Sequence, residues 1–189
     1  MPKLQKVLVV TASPRPGGNS TLLAAEAARG AEDAGAEVRL VSLAGKSLGV
    51  CRACDRCRKP GAKGCFQEDD LKALHGDLKA ADALLIASPV YWFTMSGQAK
   101  IFMDRLYVFG AKGYRELKGK RIGIILTSGD ADFRSSGAVN AMSAFKDAFA
   151  YLGAPIVGMV HGGGGRAGAV KRNKALMAEA FALGRALAA

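Results

Sequence analysis

Short apolar runs that end in small or polar residues alternate along this chain with segments of helical periodicity. The first run, Lys6–Ser13 (KVLVVTAS), suits a strand buried on both faces of a parallel sheet. Four further runs are predicted as strands: Glu37–Leu43, Asp82–Ser88, Lys120–Ser128 and Pro155–His161. Five helices are predicted between and after them, at Ser20–Gly35, Asp69–Ala81, Ser96–Phe109, Ser135–Leu152 and Ala169–Leu187. This alternation predicts an α/β fold in which a doubly wound parallel sheet of five strands lies between two layers of helices.

The composition fits one globular domain that spans residues 1–189. Half of the 189 residues are hydrophobic and 23% are charged, a balance that excludes a disordered chain. The longest apolar stretch, Ala83–Met95, is too short for a transmembrane helix and contains Pro89. The hydrophobic run near the N-terminus, Val7–Val10, is too short for a secretory signal peptide. We therefore expect a cytoplasmic protein that does not associate with a membrane.

The formal net charge of +11 raises the question of a nucleic-acid partner. Lysines and arginines cluster at Lys112–Arg121 and Arg166–Lys174, but no helix-turn-helix, RNA-binding or zinc-finger pattern accompanies them. Solvated basic faces are the commoner explanation of such clusters, so no nucleic-acid partner is expected. An anionic cofactor or an acidic redox partner could each use part of this charge.

The first strand end has the composition of a phosphate-binding loop. In open α/β sheets, ligands bind beyond the carboxyl ends of the strands. The segment Thr11–Thr21 (TASPRPGGNST) is neither a Walker A loop nor a dinucleotide fingerprint, but it is rich in hydroxyls and glycine. It precedes a helix, whose free N–H groups and dipole favour a phosphate, although ordinary helix capping is the alternative. The candidate phosphate ligands are Ser13, Arg15, Asn19, Ser20 and Thr21.

Two further strand ends carry distinctive residues. Ser88–Ser96 (SPVYWFTMS) contains three consecutive aromatic residues, which suit a wall for a flat aromatic ligand. Alternatively, Trp92 and Phe93 fill the core or a dimer seam. Thr127–Asp130 (TSGD) is a small polar turn that lets the backbone approach a ligand closely. A phosphate loop, an aromatic wall and a third loop at one edge of the sheet together imply flavin mononucleotide (FMN).

Three motifs give the chain its resemblance to a known family. They are Ser13-Pro-Arg followed by Asn19-Ser-Thr, the segment Ser88-Pro-Val-Tyr-Trp, and Lys100 with Asp104-Arg105 in the following helix. With these motifs the chain resembles the flavodoxin-like NAD(P)H-dependent FMN reductases, and among them the iron–sulfur flavoproteins. The resemblance implies a sheet in the order 2-1-3-4-5, with FMN at the edge of strands one, three and four.

The same resemblance implies roles for individual residues. The family's phosphate loop corresponds to the five candidates of the first motif. Its flavin-edge loop corresponds to Pro89, Val90, Tyr91 and Trp92, and a third flavin contact corresponds to Thr127, Ser128 and Gly129. Lys100, Asp104 and Arg105 are interpreted as helix-face ion pairs or dimer contacts rather than as catalytic residues. Because relatives commonly assemble, a homodimer or homotetramer is expected.

All four cysteines fall within one loop, at residues 51–65; they are Cys51, Cys54, Cys57 and Cys65. This pattern resembles the compact motif with which iron–sulfur flavoproteins bind a [4Fe–4S] cluster, and three thiolates at such spacing fold readily around a cluster. Zinc is less natural, because structural zinc sites usually use two separated pairs of ligands. Reduced thiols without a metal are the alternative. Flanking arginines and lysines would stabilise thiolates.

The expected function is that of an FMN-dependent oxidoreductase. Electrons from NAD(P)H or a reduced carrier would pass through FMN to a quinone, a free flavin or another small acceptor, and the cofactor would supply the chemistry. We therefore nominate no catalytic acid or base. His75 is expected on a helix surface or in the core, whereas His161, at a strand end, could approach a ligand. The alternative is a non-enzymatic electron carrier that docks an acidic redox protein such as ferredoxin.

Overall fold

The computed structural model describes residues 4–189 as a sheet that is covered by helices on both faces. The strands are β1 (Lys6–Thr11), β2 (Glu37–Ser42), β3 (Ala83–Tyr91), β4 (Thr94–Met95), β5 (Arg121–Ser128) and β6 (Ile156–Gly163). The α-helices are α1 (Asn19–Asp33), α2 (Asp70–Ala80), α3 (Gly97–Arg105), α4 (Ala138–Leu152) and α5 (Lys174–Ala188). No helix within this described range is long and apolar enough to cross a membrane.

Five of the strands are parallel and are hydrogen-bonded in the order β2-β1-β3-β5-β6. This is the flavodoxin-like order 2-1-3-4-5 once the short β4 is left out of the numbering. The predicted α/β class, the three layers and the strand order are therefore confirmed. The order reverses between β1 and β3, and the edge formed by the carboxyl ends of β1, β3 and β5 is where such sheets bind ligands.

The five predicted parallel strands are all present, and the short antiparallel β4 is an addition that the sequence does not predict. β3 continues past the Ser88-Pro89 pair to Tyr91, and the antiparallel β4 then returns along it, with Tyr91 opposite Thr94. Proline cannot donate a hydrogen bond to the ladder, so it usually signals the end of a strand. In this structure β3 continues through Pro89 and ends at Tyr91.

The two residues between β3 and β4 have an unusual backbone conformation. Trp92 has a φ of 45° and Phe93 a φ of 64°, both in the left-handed region that favours glycine. Two successive left-handed residues make a tight turn whose twist matches paired strands. From α4, Asn140 donates its Nδ2–H to the carbonyl of Phe93 at 3.1 Å. Strain of this kind, about 1–3 kcal/mol per residue, concentrates beside functional sites.

The sheet separates two hydrophobic cores. One core lies under α2, α3 and α4 and contains Phe102 and Phe145. The other lies under α1 and α5 and contains Leu23 and Leu183. Because both faces of the sheet are covered, the central strands read as continuous apolar runs in the sequence.

The largest differences from the predicted helix boundaries are at the start of α5 and the end of α3. α5 begins at Lys174 instead of Ala169, because Asn173 caps it and its Oδ1 accepts a hydrogen bond from the N–H of Leu176 at 3.1 Å. Residues 169–172 form a separate 3₁₀ turn. α3 ends at Arg105, and the chain continues to residue 112 as a 3₁₀ helix.

Candidate functional site

A cleft of about 250 Å³ opens at the carboxyl edge of the sheet. Its walls come from the loops that follow β1, β3, β5 and β6. The residues that line it are Ser13, Arg15, Gly18, Asn19, Pro89, Val90, Tyr91, Thr127, Ser128, Gly129, Gly165 and Ala167. The three loops that the sequence singles out therefore meet at one site, at the edge where ligands bind in such sheets.

The amino end of α1 is open toward a ligand. Its N-cap residue is Gly18, which has no side chain to accept hydrogen bonds from the first-turn N–H groups. The alternative of ordinary capping by Asn19, Ser20 or Thr21 is therefore wrong, since these residues lie inside the helix. A side chain at position 18 would also collide with Ser13, because its Cβ would lie 2.3 Å from the Ser13 Oγ. An uncapped helix N-terminus of this kind suits a phosphate.

Asn19 has a structural role that sequence reasoning misses. Its Nδ2 donates to the carbonyl of Arg166 at 2.9 Å, and its Oδ1 accepts from the N–H of Val170 at 3.5 Å. Both ends of the amide are thus engaged in holding the loop after β6 against the cleft. That loop contributes Gly165 to the cleft wall. The glycine run at 162–165 is the only local signal that could have pointed to this fourth wall.

In the aromatic segment at residues 91–93, one side chain lines the cleft and the other two are exposed to solvent. Tyr91 is half-buried and lines the cleft, and the guanidinium carbon of Arg15 lies 6.0 Å from its ring centre. Trp92 is 91% exposed and Phe93 is 54% exposed, so the alternative in which they fill the core is wrong. Large exposed aromatic side chains beside a cleft are typical of surfaces that contact a ligand or another subunit.

The third loop is held by a hydrogen bond between Ser128 and His161. The Ser128 Oγ lies 2.6 Å from the carbonyl of Asp130, to which it donates, and 2.8 Å from the Nε2 of His161. The single proton of the Ser128 hydroxyl is used in the hydrogen bond to Asp130. The hydrogen bond with His161 must therefore use a proton on Nε2, which assigns the Nε2–H tautomer. Burial lowers the pKa of His161, although Asp132 opposes this effect, so the ring is neutral at pH 7. His161 thus positions Ser128 and is not itself part of the cleft lining.

Three of the predicted cofactor-binding residues are not part of the cleft lining: Ser20, Thr21 and Trp92. Ser20 is buried, and its hydroxyl has no hydrogen-bond partner among residues 4–189. The same is true of Thr11, the last residue of β1. Unpartnered buried hydroxyls are uncommon, and these two lie at the two ends of the loop that joins β1 to α1. Contact of the three residues with a cofactor stays a prediction.

All four cysteines lie in the loop at residues 51–65, but in their present positions they do not form a metal site. Cys54 is exposed, and Cys51, Cys57 and Cys65 are partly exposed. Burial and then the charge of Cys65 raise the pKa of the Cys57 thiol, and the charges of Cys54 and Cys51 raise it further. Among residues 4–189, however, no three cysteine, histidine or acidic side chains are close enough to hold one metal ion. The donor types fit Cys₄ ligation, whereas their present positions do not.

A buried ion pair anchors the cysteine loop to α3. The Nη1 and Nη2 of Arg105 lie 2.5 and 3.1 Å from the carboxylate oxygens of Asp69, and the two side chains are 2% and 6% exposed. Gly49 donates to Asp69 at 2.9 Å and accepts from Arg105 at 2.7 Å. The interpretation as a helix-face ion pair is confirmed for Lys100 and Asp104, which are both exposed. It is wrong for Arg105, which instead holds together the two ends of the cysteine loop.

The strand order and the convergent loops at the carboxyl edge define a flavodoxin-like fold. The two-electron reduced flavodoxin of Megasphaera elsdenii has the same fold, with a TM-score of 0.61 at 19% identity over 96% of this chain and 98% of that one. More specifically, the chain belongs to the NADPH-dependent FMN reductase family, whose model matches residues 5–182. The family resemblance inferred from the motifs is thereby confirmed.

Within this family the chain is similar to iron–sulfur flavoproteins. One from Methanocaldococcus jannaschii is 40% identical over 100 residues, which cover 53% of this chain and 51% of that protein. One from Methanosarcina thermophila is 29% identical over 153 residues, which cover 81% of this chain and 77% of that protein. The chain spans about half the length of the M. jannaschii relative and of another from Archaeoglobus fulgidus.

Proposed function

We propose that this protein is an FMN-dependent oxidoreductase. It takes electrons from NAD(P)H or a reduced carrier and passes them through bound FMN to a small acceptor such as a quinone or a free flavin. The observation that carries the proposal is the cleft in which the loop after β1, the Pro89–Tyr91 segment and the Thr127–Gly129 turn meet. Membership of the NADPH-dependent FMN reductase family supports it.

The cleft fits FMN in charge and in space. Arg15 contributes a positive charge, α1 contributes uncapped N–H groups, and no carboxylate of the described chain lines the cleft. At Gly129 nothing lies within 4 Å of the position that a Cβ would take, so a flat ring can approach the backbone there. We assign the phosphate to the N-terminus of α1 and the isoalloxazine to the space between Tyr91 and Gly129.

The residues of the chain bind and orient the cofactor. When bound there, FMN would supply the hydride-transfer and electron-transfer chemistry. The backbone of Val90, Tyr91 and Gly129 borders the space for the polar edge of the ring, whereas the Ser128 hydroxyl already donates to the Asp130 carbonyl. Backbone N–H groups fixed at this edge would stabilise negative charge on the ring. His161 keeps Ser128 fixed, which preserves this arrangement.

Gly129→Val should block flavin binding while leaving the fold intact. Position 129 does not have a positive φ, and it has open space for a side chain, but that space is the cleft. We expect the affinity for FMN to fall roughly tenfold or more, a loss of about 1.4 kcal/mol or more. Titration of apoprotein with FMN, followed by flavin fluorescence, measures this effect. Quinone-dependent oxidation of NADPH should fall in parallel.

Gly97→Val is the matched control, because Gly97 also has open space around it but lies outside the cleft. It should retain FMN affinity. Equal affinity in the Gly129→Val variant and the unsubstituted protein would refute the assignment of the ring. Oxidation of NADPH no faster than with free FMN would instead favour the electron-carrier alternative.

The proposal includes Cys51, Cys54, Cys57 and Cys65 as ligands of a [4Fe–4S] cluster. The support is the Cys₄ donor set, the mutual electrostatic influence of the sulfurs, and the printed names of the iron–sulfur flavoprotein relatives. Arg105 supports it too, because its positive charge interacts with the charges of Cys65 and Cys51. Loading requires the loop at 51–65 to close around the cluster.

Anaerobic reconstitution with iron and sulfide should yield about four iron atoms per chain. Cys54→Ser should retain less iron, with the FMN affinity unchanged because Cys54 is outside the cleft. A chain that binds FMN but retains neither iron nor sulfide would exclude the cluster and leave the flavin assignment intact. A homodimer or homotetramer stays a prediction, supported by the exposure of Trp92 beside the cleft.

A further inference from the structure

Two walls of the flavin cleft leave the sheet side by side, at the ends of β1 and β3. The last backbone hydrogen bond between these strands runs from the N–H of Ala12 to the carbonyl of Ala87 at 2.8 Å. In a regular parallel ladder, the N–H of residue 89 would come next and would bond the carbonyl of Ala12. Residue 89 is proline and has no N–H, so the ladder ends there. The carbonyl of the buried Ala12 therefore needs a donor from outside the ladder.

A serine side chain supplies that donor. Ser96, the N-cap residue of α3, donates its hydroxyl proton to the carbonyl of Ala12 at 2.9 Å. The backbone N–H of Ser96 donates to the Oγ of Ser88 at 2.9 Å, and the Ser88 hydroxyl donates to the carbonyl of Pro89 at 2.8 Å. Both serines are fully buried, with an exposure of 0%. The three hydrogen bonds form one chain that joins Ala12 to Pro89.

Each end of this hydrogen-bond chain reaches a wall of the cleft. Ala12 precedes Ser13, which lines the cleft in the loop assigned to the phosphate, and Pro89 lines the cleft in the wall assigned to the isoalloxazine. Ser88 and Ser96 do not themselves line the cleft, so they act through these neighbours. Hydrogen bonds are stronger in a buried environment than in water. The chain therefore fixes the spacing between the phosphate wall and the ring wall.

We propose that Ser96 and Ser88 are positioning residues that hold the phosphate wall and the ring wall of the cleft at the spacing FMN requires. This inference rests on the proposed flavin function. FMN occupies both walls at once, so walls that are already correctly spaced bind it without a further cost of ordering. Riboflavin has the same ring but no phosphate, so its binding uses the ring wall alone. The ratio of the FMN affinity to the riboflavin affinity thus measures how well the two walls are held together.

Ser96→Ala should lower this ratio. The full chain is freed of flavin and titrated with FMN and with riboflavin, and flavin fluorescence gives both dissociation constants. The FMN affinity should fall roughly tenfold, because a buried carbonyl loses its donor and the two walls separate. The riboflavin affinity should fall less than about threefold, because riboflavin does not use the phosphate wall.

Ile122→Val is the control for a general loss of stability. Ile122 is buried near the amino end of β5, at the edge of the sheet opposite the cleft. Its truncation destabilises the core, and urea unfolding compares this loss with that of Ser96→Ala. The ratio of the two flavin affinities should stay unchanged in Ile122→Val, since both walls of the cleft keep their hydrogen bonds.

Ser88→Ala tests whether the hydrogen bonds act in series. Breaking either link opens the same chain, so Ser88→Ala should also lower the ratio, and the double variant should lower it no further than Ser96→Ala alone. An unchanged ratio in Ser96→Ala, an equal fall in Ile122→Val, or a double variant whose loss is the product of the single losses would overturn the inference and leave the flavin function standing. If the unsubstituted protein binds neither flavin, the proposed function fails as well.

Discussion

Replacing Arg105 with methionine should destabilise the protein by about 3–5 kcal/mol at pH 7, the usual cost of removing one partner from a buried ion pair. The variant leaves Asp69, which is 6% exposed, without its cationic partner. It also removes the hydrogen bond from Arg105 to Gly49, so the two ends of the cysteine loop lose their anchor. Urea unfolding at pH 7 measures the loss.

The pH dependence separates this ion pair from simple packing. Burial raises the pKa of Asp69, but hydrogen bonds from Arg105 and Gly49, with the charge of Arg105, outweigh it, so the folded pKa lies below the ordinary value. The ion pair therefore stabilises fully above about pH 4, the ordinary pKa of aspartate, and is lost as the pH falls through the lower folded pKa. In the methionine variant Asp69 is buried and unpaired, so its protonation at acid pH removes the cost of burying an uncompensated negative charge. The difference in stability between the two proteins should thus shrink below about pH 4.

Lys100→Met is the control on the same helix. Lys100 pairs with Asp104 at the surface, where the side chains are 60% and 46% exposed, so its loss should cost less than about 1 kcal/mol. Equal destabilisation by the two substitutions would contradict a special role for Arg105. A difference that stays constant down to acid pH would show that packing, and not charge, is what Arg105 contributes.

The fold was predictable because its signals are local. β1 and β5 are apolar runs bounded by turn residues, and burial on both faces makes such runs easy to distinguish from amphipathic segments. The helices were also predictable from local patterns, because each has one apolar face that packs on the sheet. The strand order came with the family resemblance, because periodicity alone does not say which parallel strands are neighbours.

The details of the site depended on contacts that leave no local signal. Asn19 meets the loop after β6 more than 140 residues along the chain, so nothing near it in the sequence indicates that its amide is already engaged. Arg105 follows Asp104 on one helix, and only the position of Asp69 across the core decides that Arg105 is buried. The left-handed turn at Trp92 and Phe93 opposes the intrinsic preference of both residues, so tertiary contacts such as that from Asn140 must hold it.

Gly184→Ala should destabilise the protein by about 1–3 kcal/mol, even though alanine is the better helix former by about 1 kcal/mol. A Cβ at Gly184 of α5 would lie 1.8 Å from the carbonyl oxygen of Ala27 in α1, and backbone atoms cannot rotate away. The two helices would have to separate, which opens the core around Leu183.

Gly76→Ala, in α2, is the matched control for Gly184→Ala. No atom lies within 4 Å of a Cβ at Gly76, so only the gain in helix propensity acts and the variant should be stabilised by up to about 1 kcal/mol. Each kcal/mol corresponds to about 2–4 °C in Tm for a chain of this size, so thermal unfolding should move the two variants in opposite directions. A rise in Tm for Gly184→Ala would mean that α1 and α5 can separate without loss, contrary to the close contact that the two helices make.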